Sequence, residues 1–314
     1  MASERGQFRS LWILCSGLWA VWMAVLGSAP VLAYEGDIHQ RLTFIAAKQF
    51  NECMQDESGQ RFSALDTRYL VKANLAQADG NVFSRIFRWN YYNRDDQTSR
   101  TFMGVLDTRF HNRFKELIGR LDGSRTRHRE LQTLGRIINF IQDVTSPAHV
   151  VPVYTGRWWR FSPSDRFDRF AIDEDRVAEA ISASCSYLNS GPESYQAALV
   201  DVATDTLTAV QGPIFGFPAT WEAYWELAED SDEFGEYGVA GNQFGQRTQF
   251  RCGEERCLLL KDDPLYQDFA ASRHVAAVVA TMQAMKLFQL GLGTMLPVAS
   301  EVSLDGQSVE GARE

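Results

Sequence analysis

The stretch Leu134-Gly-Arg-Ile-Ile-Asn139-Phe-Ile-Gln-Asp143-Val-Thr-Ser-Pro147-Ala-His149 constrains this chain most. Its apolar residues predict a buried helix, and Asn139 and Asp143, four residues apart, share one face of it. Pro147 ends the helical run, and His149 follows within two residues. A buried carboxylate beside an amide, with an imidazole at the helix exit, reads as part of a metal cradle.

The rest of the chain predicts an all-α, single multi-helix domain with a small disulfide-stapled β-hairpin insertion. Asp37 with Gln40 three residues on is a capping-box pattern, and Ile38, Leu42, Ile45, Ala46 and Phe50 then recur at helical spacing. Further helices are expected at 66–78 (closed by Gly80), 107–121, 128–144, 172–188, 193–211, 218–229 and 265–291. The domain spans 34–297, with a loop and hairpin insertion at 230–262. The polar stretch 298–314 is expected to be a disordered tail.

Residues 1–33 read as an export signal. Arg5 and Arg9 precede an apolar run over 11–27, and Val31-Leu32-Ala33 suits cleavage after Ala33. The alternative is an uncleaved anchor. Cleavage leaves roughly 280 residues, enough for one large domain or two small ones. Four cysteines then remain: Cys53, Cys185, Cys252 and Cys257. An even count in an exported chain indicates two disulfides, and three pairings are open. Cys252-Gly-Glu-Glu-Arg-Cys257 reads as a hairpin stapled across its base, so Cys252–Cys257 with Cys53–Cys185 is favoured. The net charge of −9 opposes nonspecific nucleic-acid binding.

The ordered set of polar residues resembles the zinc-dependent phospholipase C and single-strand-specific nuclease superfamily. Its motif here is His-x-x-x-Asp-x-x-x-Pro-x-His, with Asn139 in the first His position. The resemblance covers about 34–170. It implies that the freed amine and carbonyl of Tyr34, together with His39 and Asp143, hold one ion. Asp79, Asn90, Asn139 and Asp143 would form a second cradle, and His149, Ser164 and Asp168 a third. Three family imidazoles are replaced, by Asn90, Asn139 and Ser164. The implied cofactor is zinc, one or more ions. The Asp/Asn cradle, now all oxygen, suits Ca²⁺, Mg²⁺ or Mn²⁺ better.

The implied activity is exported, metal-dependent phosphoric-ester hydrolysis of the phospholipase C type, in a periplasm or outside the cell. Asp143 bridges and Asp79 orients or deprotonates the attacking water. Phospholipid is favoured over nucleic acid, and a membrane surface is an expected partner. Trp89, Tyr91 and Trp158 with Arg157 offer an aromatic and cationic rim that suits a choline-type head group; the alternative is core packing with arginine stems laid along it. Arg166 and Arg169 belong to the same alternation of arginines and aromatics. The rival to catalysis is a degenerate member that binds lipid, metal or a partner, in which Asn139 and Asp143 are merely satisfied buried groups. His111, His128 and His274 read as surface or packing residues.

Overall fold

The computed structural model describes residues 36–55, 60–78, 91–92, 94, 109–151, 153, 156–157, 160–161, 165–182, 185–229 and 235–291. Expectations for the export signal, Tyr34, Asp79, Gly80, Trp89, Asn90, Trp158, Ser164 and the tail lie outside these residues. So does most of the acidic run at 229–233.

The described residues form eight α-helices and two small antiparallel hairpins. The helices are α1 (Gly36–Cys53), α2 (Ala64–Ala78), α3 (Arg109–Asp122), α4 (Arg127–Asp143), α5 (Pro147–Val150), α6 (Glu174–Ser182), α7 (Tyr195–Gln211) and α8 (Pro264–Leu290). The hairpins are β1 (Gly156–Arg157) with β2 (Arg160–Phe161), and β3 (Thr248–Cys252) with β4 (Glu255–Leu259). The mostly helical expectation, with a stapled hairpin, is met at that level. Among the described residues no helix is long and apolar enough to cross a membrane.

Helix α4 is the axis of the bundle. It packs against α1, α2, α3, α7 and α8. From Ile137 to Val151 every residue is buried, because the helix is surrounded on all sides at that end. The closest approach is to α2 at Gly135. A Cβ there would meet the Leu70 carbonyl oxygen at 2.5 Å and the Ala73 Cβ at 2.9 Å. Only glycine lets the two backbones come this near.

Local chemistry sets several of the boundaries. Ser194 caps α7 by accepting from the Ala197 N–H, and Asp263 caps α8 by accepting from Leu265. Gly291 closes α8 at φ 66°, a conformation suited to glycine. Pro147 does more than stop α4: it occupies the first turn of the short α5, where its missing N–H costs nothing. Helix α1 already begins at Gly36, so Asp37 lies within the first turn rather than outside it. There a carboxylate still favours the helix dipole.

Two expected helices differ. The 172–188 run is helical at 174–182, and a separate 3₁₀ turn covers Cys185–Leu188. The 218–229 run forms only a 3₁₀ turn at Trp221–Ala223. Beyond it Glu226 exchanges both backbone hydrogen bonds with Glu236, at 2.8 and 3.0 Å. Trp221, Tyr224 and Trp225 have helical spacing, but they are buried in an aromatic cluster with Phe167, Phe244 and Phe269. That tertiary packing replaces helix continuation.

Both disulfides pair as favoured, Cys53–Cys185 and Cys252–Cys257, with Cα separations of 5.6 and 5.9 Å. The first ties the end of α1 to the 3₁₀ turn after α6. The second joins the ends of β3 and β4.

Candidate functional site

The buried corner where α4 passes into α5 carries two polar groups of side chains. In the first, His39 from α1 meets Asn139 and Asp143 from α4. The His39 Nε2 lies 3.2 Å from Asp143 Oδ1 and 3.3 Å from Asn139 Nδ2. His39 is fully buried, and Asn139 and Asp143 are each 3 % exposed.

The other side of the His39 ring is held by a ladder of amides and hydroxyls from four helices. His39 Nδ1 lies 2.7 Å from Gln142 Oε1. Gln142 Nε2 donates to Thr43 Oγ1 on α1 and to Thr281 Oγ1 on α8, both at 3.0 Å. Asn74 on α2 donates to Thr43 Oγ1 at 2.8 Å and to Gln142 Oε1 at 2.9 Å. Asn139 in turn donates to Asn74 Oδ1 at 3.0 Å. Thr43, Asn74, Gln142 and Thr281 are all fully buried, so each polar atom must find its partner within the protein.

Asp143 Oδ1 is buried and, among the described residues, accepts no hydrogen bond, although it lies within ion-pair distance of His39. With the Nδ1 proton donated to Gln142, Nε2 presents a lone pair to a carboxylate oxygen. Two acceptors at 3.2 Å repel unless a proton or a cation lies between them. Two ligand atoms on one zinc-sized ion, each about 2.0–2.1 Å from it at a near-tetrahedral angle, stand about 3.3 Å apart. The 3.2 Å separation thus suits either a shared proton or two ligands of one ion. Among the described residues no three His, Cys, Asp or Glu side chains are gathered as a metal site. The third donor that the resemblance implies, the Tyr34 amine, lies outside those residues.

The second group begins three residues further on. Backbone bonds run from Ser146 N to Asp143 O and from His149 N to Ser146 O, each 3.0 Å, so the two groups share one corner. His149 Nε2 stands 3.9 Å from Asp168 Oδ2, too far for a hydrogen bond. Ser146 Oγ donates to Asp168 Oδ1 at 2.6 Å. Tyr91 stacks on the His149 ring, centroids 5.0 Å apart. The rim residue Tyr91 is thus beside the site. Arg157 lies in β1, and its side chain is outside the described residues.

Asp165 is a member that the sequence did not single out. Its carboxylate accepts from Phe167 N at 2.8 Å and from Trp225 Nε1 and Tyr237 OH at 2.9 Å each. Burial and then the neighbouring Asp168 charge push its pKa up to about 6, against the lowering effect of those three donors. Burial, with the Asp165 charge, also raises the Tyr237 hydroxyl, which stays protonated. Asp165 lines a cavity of about 370 Å³ with Arg166, Arg169, Phe244 and Gln246. Two of the arginines noted in the sequence therefore border a space beside this carboxylate.

Of the remaining histidines, His128 is exposed and packs against Tyr69 with the rings tilted and their centroids 4.2 Å apart. His111 and His274 are buried in aromatic surroundings. Burial, and secondarily the Arg41 charge, lowers the His274 pKa to about 4, so it packs as a neutral ring.

Comparison of the chain with protein-family models, curated proteins and solved structures gave no match.

Proposed function

We propose that the chain is an exported, metal-dependent phosphoric-ester hydrolase of the phospholipase C type, acting on phospholipid in preference to nucleic acid. The observation that carries this reading is the facing of His39 Nε2 and Asp143 Oδ1, 3.2 Å apart in a buried corner, the latter accepting no hydrogen bond among the described residues. The ordered motif residues in the sequence support it, and so do the two disulfides, which suit an oxidising compartment outside the cytoplasm.

His39 and Asp143 would hold the ion, with the Tyr34 amine as the third donor. A bound zinc supplies a Lewis acid for a phosphoryl oxygen and lowers the pKa of a water. The protein's own contribution is placement. Gln142 orients the His39 ring, and burial excludes bulk water from the carboxylate. Asp79 is the residue assigned to take the proton from the attacking water, and Arg166 and Arg169 offer guanidinium groups for phosphate at the cavity rim.

One observation favours the rival, a non-catalytic binding protein. Asn139 stands where the family has an imidazole, and it turns its amide nitrogen towards His39 and Asn74. In that orientation it is a donor closing a satisfied network. The deciding experiment is metal analysis of protein purified without chelator, followed by assays on phosphatidylcholine, a phosphorylcholine ester and single-stranded DNA. Tightly held zinc with turnover of a choline lipid is expected. A bound ion without turnover of any of these substrates favours the rival, and the lack of any ion removes the hydrolase reading.

A further inference from the structure

We infer that Gln142 is the positioning residue of this site: anchored by Thr43 and Thr281 and braced by Asn74, it keeps the proton of His39 on Nδ1 and leaves Nε2 aimed at Asp143. This deepens the reading of His39 as the ion-holding imidazole. It concerns how the protein prepares that ring before any ion arrives.

The hydrogen bonds of the ladder start from a fixed end. Thr281 Oγ1 donates to the Ala277 carbonyl at 2.7 Å. A hydroxyl has one proton, so towards Gln142 Thr281 acts as an acceptor. Gln142 must then turn its NH₂ to Thr281 and Thr43, which leaves its carbonyl oxygen for His39 and Asn74. A carbonyl oxygen only accepts, so His39 Nδ1 carries the proton. Asn74, donating to the same oxygen, presents its own carbonyl to Asn139. Asn139 is thereby fixed with its NH₂ towards Asn74 and His39 Nε2.

The opposite polarity runs through the same atoms less well. If Gln142 were turned over, its oxygen would face both hydroxyls, and the Asn74 oxygen would face Thr43 as well. The single Thr43 proton would then have two amide oxygens to serve. Thr281 would have to give up its bond to Ala277. The observed polarity avoids both losses, and Thr43 simply accepts from two amides.

The consequence reaches function through geometry. An imidazole in water prefers its proton on the nitrogen remote from the backbone, which is Nε2. The ladder imposes the reverse, so Nε2 can take a cation without first losing a proton, in exchange for the hydrogen bond it accepts from Asn139. Outer partners that fix tautomer and ring orientation commonly change metal affinity by about 10–100-fold. Here the partner is a neutral amide held by four helices, so the placement survives only while the bundle is closed.

The test is ¹⁵N–¹H NMR of the histidine rings in chelator-treated protein with its disulfides intact, in mildly alkaline buffer. The His39 signal is assigned by its loss in His39→Gln. The expected result is the Nδ1–H tautomer in the wild type, and a shift towards the Nε2–H form in Gln142→Met, which keeps the shape but removes the acceptor. Gln142→Glu, which restores an acceptor, should recover Nδ1–H. Thr281→Val is a milder second variant that loosens the same amide, and it should move the equilibrium the same way. Titration with zinc chloride should show about 10–100-fold weaker binding to Gln142→Met than to wild type. An Nε2–H tautomer in the wild type would overturn the inference, as would a tautomer or zinc affinity unchanged in both Gln142→Met and Thr281→Val. A wild type that takes up no zinc yet shows Nδ1–H would defeat the proposed hydrolase and leave the role of Gln142 standing.

Discussion

At the scale of residues, the proposed ion site has a cost in folding. Asp143 places a buried carboxylate oxygen 3.2 Å from His39 Nε2, and among the described residues that oxygen accepts no hydrogen bond. An unsatisfied buried polar atom costs about 1–3 kcal/mol, more when charged. Asp143→Asn can turn its amide N–H to His39 Nε2, so in chelator-treated protein the variant should be as stable as wild type, or more stable by about 1 kcal/mol. The same change should abolish tight zinc binding. Urea unfolding with chelator, set beside a zinc titration, tests both halves; a large loss of stability in the metal-free variant would contradict this view of Asp143. His39, Asn139, Asp143, His149 and Asp168 were singled out by the family resemblance, and the structure brings His39 to Asn139 and Asp143 and sets His149 3.9 Å from Asp168. The ladder was not legible, since Thr43, Asn74, Gln142 and Thr281 become important only when four helices converge. A Gln beside an Asp at the apolar, buried end of a helix was the one available signal. Asp165 was hidden similarly: Asp-x-x-Asp is common on surfaces, and its meaning here comes from Trp225 and Tyr237, at least 60 residues away in sequence.

At the scale of elements, helices with one apolar stripe or good caps were readable, and those bounded by tertiary contacts were not. Helices α4, α7 and α8 fall within two residues of their expected ends, where Pro147, Ser194, Asp263 and Gly291 act locally. The 218–229 segment failed because Trp221, Tyr224 and Trp225 mimic a helical stripe while serving an aromatic cluster. The α2–α4 contact depends on a single missing side chain. Gly135→Ala places its methyl 2.5 Å from a backbone oxygen, which cannot yield as a flexible side chain would. The expected loss is about 1–3 kcal/mol in chemical unfolding, despite the gain in helix propensity. Because the Asn74–Asn139 bond spans the same pair of helices, zinc affinity should fall with it. A Gly135→Ala protein as stable as wild type would show that the helices are free to separate.

At the scale of the whole molecule, two covalent ties and two buried titrating groups shape stability. The Cys53–Cys185 bond spans 132 residues and Cys252–Cys257 only 5. Chain-entropy reasoning puts their contributions at about 5 and about 2 kcal/mol. Serine replacement of each pair, followed by urea unfolding, should therefore cost much more for the long tie; equal losses would contradict this. The pH dependence has opposing parts. His274 falls from 6.5 to about 4 in the folded protein. Its contribution is present above pH 6.5 and is lost as pH falls towards 4, by about 3 kcal/mol at most. Asp165 rises from 3.8 to about 6, so its contribution is present below pH 3.8 and is lost as pH rises through 6. In metal-free protein the two largely offset each other between pH 4 and 6. Asp165→Asn should expose a steeper acid loss, and His274→Gln should remove it. Unfolding free energies measured across that range check the signs, and identical pH profiles for all three proteins would refute them.

The most direct measurement is a zinc titration, by calorimetry, of chelator-treated protein that carries its native mature N-terminus, compared with His39→Ala and Asp143→Asn. A tight site at one ion per chain, lost in both variants while Cys53–Cys185 and the helical circular dichroism persist, is the predicted result. Binding that is unchanged in either variant, or no binding by the wild type, would contradict the claim that this corner of the bundle is built around an ion.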